Sequence, residues 1–260
     1  MRTNCEIYIV GVCRSGLHAL AAWIIPQIAS TVAYFVGVLN GHAFSYPTEF
    51  YSSGKLIEKT ELYENQDVER IIYDIQDVCK PSTLEGFIQD RRSNISSKRK
   101  TILFLMRNPL NNIASRMEYS IKYLYFTKKV NQIAIDYWIE CAKEYLGETD
   151  ILAKLKESGR IDDYVFVFYD TWFQDEEYRK EISDKLGLSF NDNGLNTVRH
   201  EGFGSSFDFQ NYDNNAQKMD VLNRWKKYEG DTEFISLFRE NPQIVEYYSK
   251  IYKEEFPLKF

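Results

Sequence analysis

Residues 7–23, IYIVGVCRSGLHALAAW, set Arg14, Ser15 and His18 in and just beyond a turn framed by Gly11 and Gly16. A cation, a hydroxyl and the unsatisfied backbone N–H groups of a helix start together make an anion site. The apolar run before the turn reads as a buried strand and the small-residue apolar segment after it as a helix. Gly11 and Gly16 occupy both glycine positions of the nucleotide loop G-x-x-x-x-G-K-[ST], but Leu17 stands at the lysine and His18 at the magnesium-holding hydroxyl. The loop shape is kept without the ATP–Mg²⁺ chemistry, and Arg14 and Ser15 supply charge and hydroxyl instead. Two glycines also occur in ordinary strand-to-helix turns of α/β proteins, so the turn needs a second element to count as a site.

That element is LFLMRNPLNNIASR, residues 103–116. Arg107 follows an apolar strand, Pro109 favours a helix start, and Ser115 comes eight positions after Arg107, about two helical turns into the helix. An arginine at a strand's carboxyl end and a serine on the following helix can converge on one phosphate, where a bidentate charge-assisted contact contributes about 1.5–3 kcal/mol. By itself Arg107 could equally cap or pair at the surface; beside the first loop, on matching elements, the phosphate reading is preferred.

These elements need a scaffold, and the bulk composition bounds it. The 260 residues are 44% hydrophobic and 15% aromatic, enough for one large core, and the chain is read as a single domain over 1–260. A net charge of −6 argues against a general nucleic-acid binder, so an anionic ligand must be held by local groups. The four cysteines are scattered without a C-x-x-C pair or clustered histidines, which gives no metal site and fits reduced thiols in a cytoplasmic protein. No signal-type leader opens the chain, and Pro26, Gln27, Ser30 and Thr31 break the apolar region 19–39, so no membrane span is expected.

Taken in order, the pattern predicts a helix over 16–28 bent at Pro26, a strand over 31–39, a turn at 40–42, and loop with short helical pieces over 43–68. Strands follow at 70–75, 101–106 and 164–169, and helices at 84–92, from Pro109, at 131–156 and at 176–186. Apolar faces are expected at Ile113, Met117, Ile121 and Leu124, and at Ile133, Tyr137, Cys141 and Tyr145. Residues 195–212 read as a polar surface loop, and helices at 215–229, 232–239 and 242–253 close the chain. Strands alternating with helices imply a three-layer α/β/α fold with a mostly parallel sheet of about five strands, of P-loop nucleotide-binding type, with a helical C-terminal part.

The pair of elements, GVCRSGLHA and LFLMRNPLNNIASR, resembles the sulfotransferase family, which moves a sulfuryl group from 3′-phosphoadenosine 5′-phosphosulfate (PAPS) to a hydroxyl or amine. The resemblance implies that the first loop, with Arg14, Ser15 and Gly16 matching and Leu17 and His18 replacing two threonines, holds the 5′-phosphosulfate. It likewise implies that Arg107 and Ser115 hold the 3′-phosphate, Tyr169 lies near the adenine, and Arg199, Gly202, Ser205 and Ser206 belong to a glycine-rich loop closing over the cofactor. Asn223, Arg224 and Trp225 are of a kind also seen there. The reaction implied is a metal-independent in-line transfer, with Arg14 stabilising the developing phosphate charge. Family members act on small molecules or glycans, and a carbohydrate hydroxyl is the acceptor favoured here.

The base for the acceptor proton is open. Some members carry a histidine after the third strand, where this chain reads Tyr73, Asp74, Ile75, Gln76 and Asp77; others carry a glutamate after the second, where this chain has His42. His42 and Asp74 are the candidates, with Asp77 third, and His18 is taken as a phosphosulfate contact. Two alternatives stay in view: a P-loop kinase, and a catalytically degenerate sulfotransferase fold that only binds.

Overall fold

Near-continuous apolar runs, rather than apolar-polar alternation, mark strands buried on both faces, and the central strands of this protein have that character. A computed structural model describes residues 2–38, 49–52, 55–57, 68–77, 79–90, 96–123, 128–200 and 204–259. The elements in chain order begin with β1 (Arg2–Gly11), α1 (Leu17–Ile24), β2 (Thr31–Val38), β3 (Glu49–Ser52), β4 (Lys55–Ile57), β5 (Arg70–Gln76) and α2 (Leu84–Asp90). Then come β6 (Ser96–Met106), α3 (Pro109–Tyr123), α4 (Lys128–Tyr145), α5 (Ile151–Glu157), β7 (Asp163–Phe168), α6 (Tyr169–Gln174), α7 (Glu176–Leu186), α8 (Thr232–Arg239) and α9 (Pro242–Tyr252).

Among the described residues the strands form one seven-stranded sheet in the order β4-β3-β2-β5-β1-β6-β7. The five strands from β2 to β7 run parallel, and β3 and β4 add an antiparallel edge. Period-two geometry divides the side chains between two cores. Ile7, Ile9, Leu103 and Leu105 face α1, α6 and α7; Tyr8, Val10, Phe104 and Met106 face α2, α3, α4, α5, α8 and α9. This is the α/β/α arrangement with a mostly parallel sheet that the alternation of strands and helices predicts.

The chain leaves β1 for α1 on one face of the sheet and leaves the adjacent β6 for α3 on the other. A crevice opens at such a switch point beyond the strands' carboxyl ends. Gly11, Gln76, Met106 and Phe168 end the four neighbouring parallel strands there, and the residues just beyond them build the site.

Several boundaries differ from the pattern-based expectation. The sheet gains β3 and β4, which fall inside a stretch read as loop: segments of four and three residues are too short to show a period. The expected 131–156 helix is two helices, α4 and α5, and the expected 215–229 helix is a pair of 3₁₀ turns, Ala216–Lys218 and Arg224–Tyr228. Pro26 lies in a 3₁₀ turn that ends the first helix at Ile24. Ile121, Ile133 and Tyr145 are exposed, whereas Ile113, Tyr137 and Cys141 are buried. Residues spaced four apart advance about 40° beyond a full turn at each step, so a long row of them rotates off the core. No described helix is long and apolar enough to cross a membrane.

Candidate active site

The first loop is held in shape from below. Arg116, fully buried on α3, donates from Nη1 to the Cys13 carbonyl (3.1 Å) and to Asp77 Oδ1 (2.9 Å). Asp77 Oδ1 also accepts from the Cys13 backbone N–H at 3.1 Å. Asp77, the third sequence candidate for a base, is thereby tied to the loop backbone beneath the site. Arg14 has φ 68° and Gly16 φ 104°, so the turn makes two left-handed steps before α1 begins. At Gly16 no Cβ fits, because one would lie 2.3 Å from the Tyr169 ring. Gly16→Ala is therefore expected to lose about 2–5 kcal/mol of unfolding free energy, from left-handed strain plus overpacking, measured by urea denaturation.

The loop walls one side of a cavity of about 340 Å³. Gly16, Leu17, His18 and Ala19, the start of α1, line it, and among the described residues no side chain caps that helix terminus. The first backbone N–H groups and the positive end of the helix dipole thus meet the cavity. Arg14 donates from Nε to Ser206 Oγ and from Nη2 to the Gly204 carbonyl, both at 2.6 Å, with its guanidinium 4.9 Å from the Tyr119 ring centre. This draws the segment after residue 203 against the loop. Ser15 does not line the large cavity: 1% exposed, it lines a separate small one with Val12, Leu105 and Arg107, and its Oγ has no hydrogen-bond partner among the described residues.

The opposite wall starts at the end of β6. Asn108 accepts at Oδ1 from the Leu110 and Asn111 N–H groups, capping α3, and its own N–H donates to Asp170 Oδ2 at 2.6 Å. This fixes Arg107, 4% exposed, between the two strand ends. Its Nη1 donates to the Arg14 carbonyl (2.8 Å) and to Ser115 Oγ (3.2 Å), and its Nη2 to the Val221 carbonyl (2.9 Å). The guanidinium stands 5.0 Å from the Tyr169 ring centre. All these acceptors are neutral.

Arg224 completes the cationic wall. Its Nη1 is 3.5 Å from the same Ser115 hydroxyl, and its Nη2 donates to Ser205 Oγ (2.7 Å) and Asp208 Oδ2 (2.9 Å). Burial, with the Arg107 cation beside it, brings this guanidinium down to about 10, still charged at neutral pH. Arg107 Nε and Arg224 Nε are buried without hydrogen-bond partners among the described residues. Buried polar atoms are rarely left so, and two cationic donors converging on one hydroxyl fit a phosphate. Tyr169, Trp172 and Phe173 supply an aromatic wall to the same cavity.

The sequence candidates thus divide. Arg14, Gly16, Leu17, His18, Arg107, Ser115, Tyr169, Arg199, Ser205 and Ser206 all line the one cavity. Arg199 meets it with its charge engaged elsewhere, paired with Glu49 on β3 and donating to Tyr51 Oη at 2.8 Å. Asp74 does not line the cavity; it is fully buried behind His18. His42 and Gly202 lie outside the described residues. Arg224 was not singled out as a site residue, because its partners Ser115 and Asp208 are brought to it only by the fold; Asn223, Arg224 and Trp225 were the available signal.

No protein-family model and no curated protein sequence matches the chain. Solved structures do. A mouse sulfotransferase, SULT7A1, in complex with PAP, superposes with a TM-score of 0.51 at 15% identity, over 95% of this chain and 88% of that one. The sulfotransferase domain of the Synechococcus PCC 7002 olefin synthase superposes with a TM-score of 0.51 at 13% identity, over 98% of this chain and 97% of that domain. At these identities the likeness establishes the fold.

Proposed function

We propose that this chain, which has the fold of sulfotransferases, is one: a single-domain enzyme that binds PAPS in the cavity and delivers its sulfuryl group to an acceptor hydroxyl, with a carbohydrate the preferred acceptor class. The observation that supports this most strongly is the pair of buried guanidinium groups, Arg107 and Arg224, meeting at the Ser115 hydroxyl beside an aromatic wall, with Nε atoms that find no partner among the described residues. That is a place for a phosphate attached to a flat, apolar group. The start of α1, with Arg14 beside it, suits a second phosphate at the other end of the same molecule. A nucleotide with phosphates on both the 3′ and 5′ positions fits both; the mouse neighbour is bound to PAP.

In this reading Arg107, Ser115 and Arg224 hold the 3′-phosphate, and Tyr169, Trp172 and Phe173 enclose the base. Arg14 and the helix start hold the 5′-phosphate, where the charge of the leaving group develops. The bound PAPS supplies an activated sulfuryl group; the chain supplies orientation and charge. A kinase is disfavoured because Leu17, 2% exposed and packed in the core against α1's neighbours, stands where a phosphate lysine would be.

The test is a thermal melt with 3′-phosphoadenosine 5′-phosphate (PAP), ADP and Mg²⁺–ATP in parallel. PAP at about 100 times its dissociation constant adds about 2.7 kcal/mol, an expected rise of about 5–10 °C for a domain approaching this size. A shift with Mg²⁺–ATP alone would transfer the proposal to a kinase. A PAP shift without PAPS consumption across a broad hydroxyl and amine panel would identify a binding module.

A further inference from the structure

The transfer needs a group to take the acceptor's proton, and the cavity narrows the choice. Cys13 lines it, but burial and the Asp77 carboxylate push its thiol well above the usual range, and burial pushes the Tyr169 phenol up. Asp74 has no exposed surface, and Asp77 is bonded to Arg116 and the Cys13 N–H. Among the described residues His18 remains: it lines the cavity from the first turn of α1, with 23% of its side chain exposed.

Behind His18 stands a carboxylate built to orient it. On β5 the alternation puts Ile72, Asp74 and Gln76 at register positions of one parity, and Ile72 packs in the core shared with α1. Asp74 Oδ2 lies 3.0 Å from His18 Nδ1, close but without the alignment of a full hydrogen bond. The same carboxylate accepts from the Gln76 amide, at 3.1 Å to each oxygen, and from Tyr34 Oη at 3.2 Å. Burial and the Asp74 charge hold the Tyr34 phenol well above its ordinary range, so it stays a donor. The Gln76 Nε2 also lies 3.3 Å from His18 Nε2. A carboxylate at Nδ1 and an amide donor at Nε2 both select the tautomer with hydrogen on Nδ1 and a lone pair on Nε2.

We propose that His18 is the catalytic base and that Asp74, with Gln76, is the positioning group that fixes its tautomer, so that base and 5′-phosphate site share the start of one helix. The inference rests on the sulfotransferase reading. As the acceptor oxygen forms its bond to sulfur, the bond from sulfur to the 5′-phosphate oxygen breaks and its electron pair leaves on that oxygen. The acceptor hydroxyl takes the place of the Gln76 amide at His18 Nε2, the amide keeping its bonds to Asp74; the acceptor's proton then passes to Nε2, and the Asp74 carboxylate stabilises the imidazolium so formed.

Two measurements decide it. Long-range ¹H–¹⁵N spectra of the full chain labelled at its three histidines, with His18→Gln to assign the signal, should show His18 with hydrogen on Nδ1 and Nε2 unprotonated. Asp74→Asn should abolish that preference. In single-turnover transfer from ³⁵S-labelled PAPS to the panel's hydroxyl acceptors, His18→Ala should slow the step by about 10²–10⁴-fold, with imidazole restoring part of the rate. Its affinity for PAP, which lacks the sulfuryl group, should stay within about threefold of wild type. His18→Gln, closer in size, replaces His18→Ala if the latter fails to fold. A wild-type His18 with hydrogen on Nε2, or a His18 variant that binds PAP and transfers at the wild-type rate, overturns the assignment. A wild-type chain that binds no PAP overturns the sulfotransferase reading instead.

Discussion

Arg107→Ala is expected to weaken PAP binding by about 10–100-fold, the equivalent of one bidentate charge-assisted contact. The same substitution should destabilise the free protein. Arg107 bonds the Arg14 carbonyl, the Ser115 hydroxyl and the Val221 carbonyl, joining the first loop, α3 and the segment leading to Arg224. Losing that buried hub leaves neutral acceptors without their donor and is expected to cost about 1–3 kcal/mol of unfolding free energy. Calorimetric titration with PAP and urea denaturation measure the two effects separately. Lysine should not rescue, since one ammonium cannot span acceptors on three segments as the guanidinium fork does. Wild-type PAP affinity in a folded Arg107→Ala protein would remove the 3′-phosphate site from the account.

Arg14→Ala should act on rate more than on stability. Its guanidinium is only partly buried and reaches the late segment through Ser206 and Gly204. Removing a group aimed at developing charge typically lowers the chemical step by about 10²–10³-fold. The start of α1 remains in place, so PAPS should still bind, more weakly because the late segment loses its tie to the loop. Single-turnover transfer from labelled PAPS, with the PAP dissociation constant measured alongside, separates the two losses. Turnover close to wild type would sink the assignment of Arg14 to the leaving-group phosphate.

The parts of this site legible in the sequence are those written in short stretches. The strand, turn and helix around Arg14 show as an apolar run, two glycines and an apolar segment. Arg107 and Ser115 show through a fixed spacing across one strand end and one helix, and the structure puts them 3.2 Å apart. The sheet's parallel character also follows from the alternation of strands and helices. What sequence could not provide depends on the order of strands in space. Asp74, 56 residues from His18 in the chain, becomes its neighbour only because β5 inserts beside β1. Arg224 reaches Ser115 only because the chain after α7 returns across the sheet's carboxyl edge. The β3–β4 edge was missed because its strands are too short for a period to show. Ile121 and Tyr145 were misplaced because a spacing of four drifts around the helix.

The claim that everything else depends on is that the cavity recognises adenosine phosphorylated at both the 3′ and 5′ positions. It is tested most directly by calorimetric titration of the wild-type chain and Arg107→Ala with PAP and with adenosine 5′-phosphate, which lacks the 3′-phosphate. The account predicts that wild type prefers PAP by about 10–100-fold and that Arg107→Ala loses most of that preference. Equal wild-type affinity for the two nucleotides, or a preference that survives in Arg107→Ala, would contradict it.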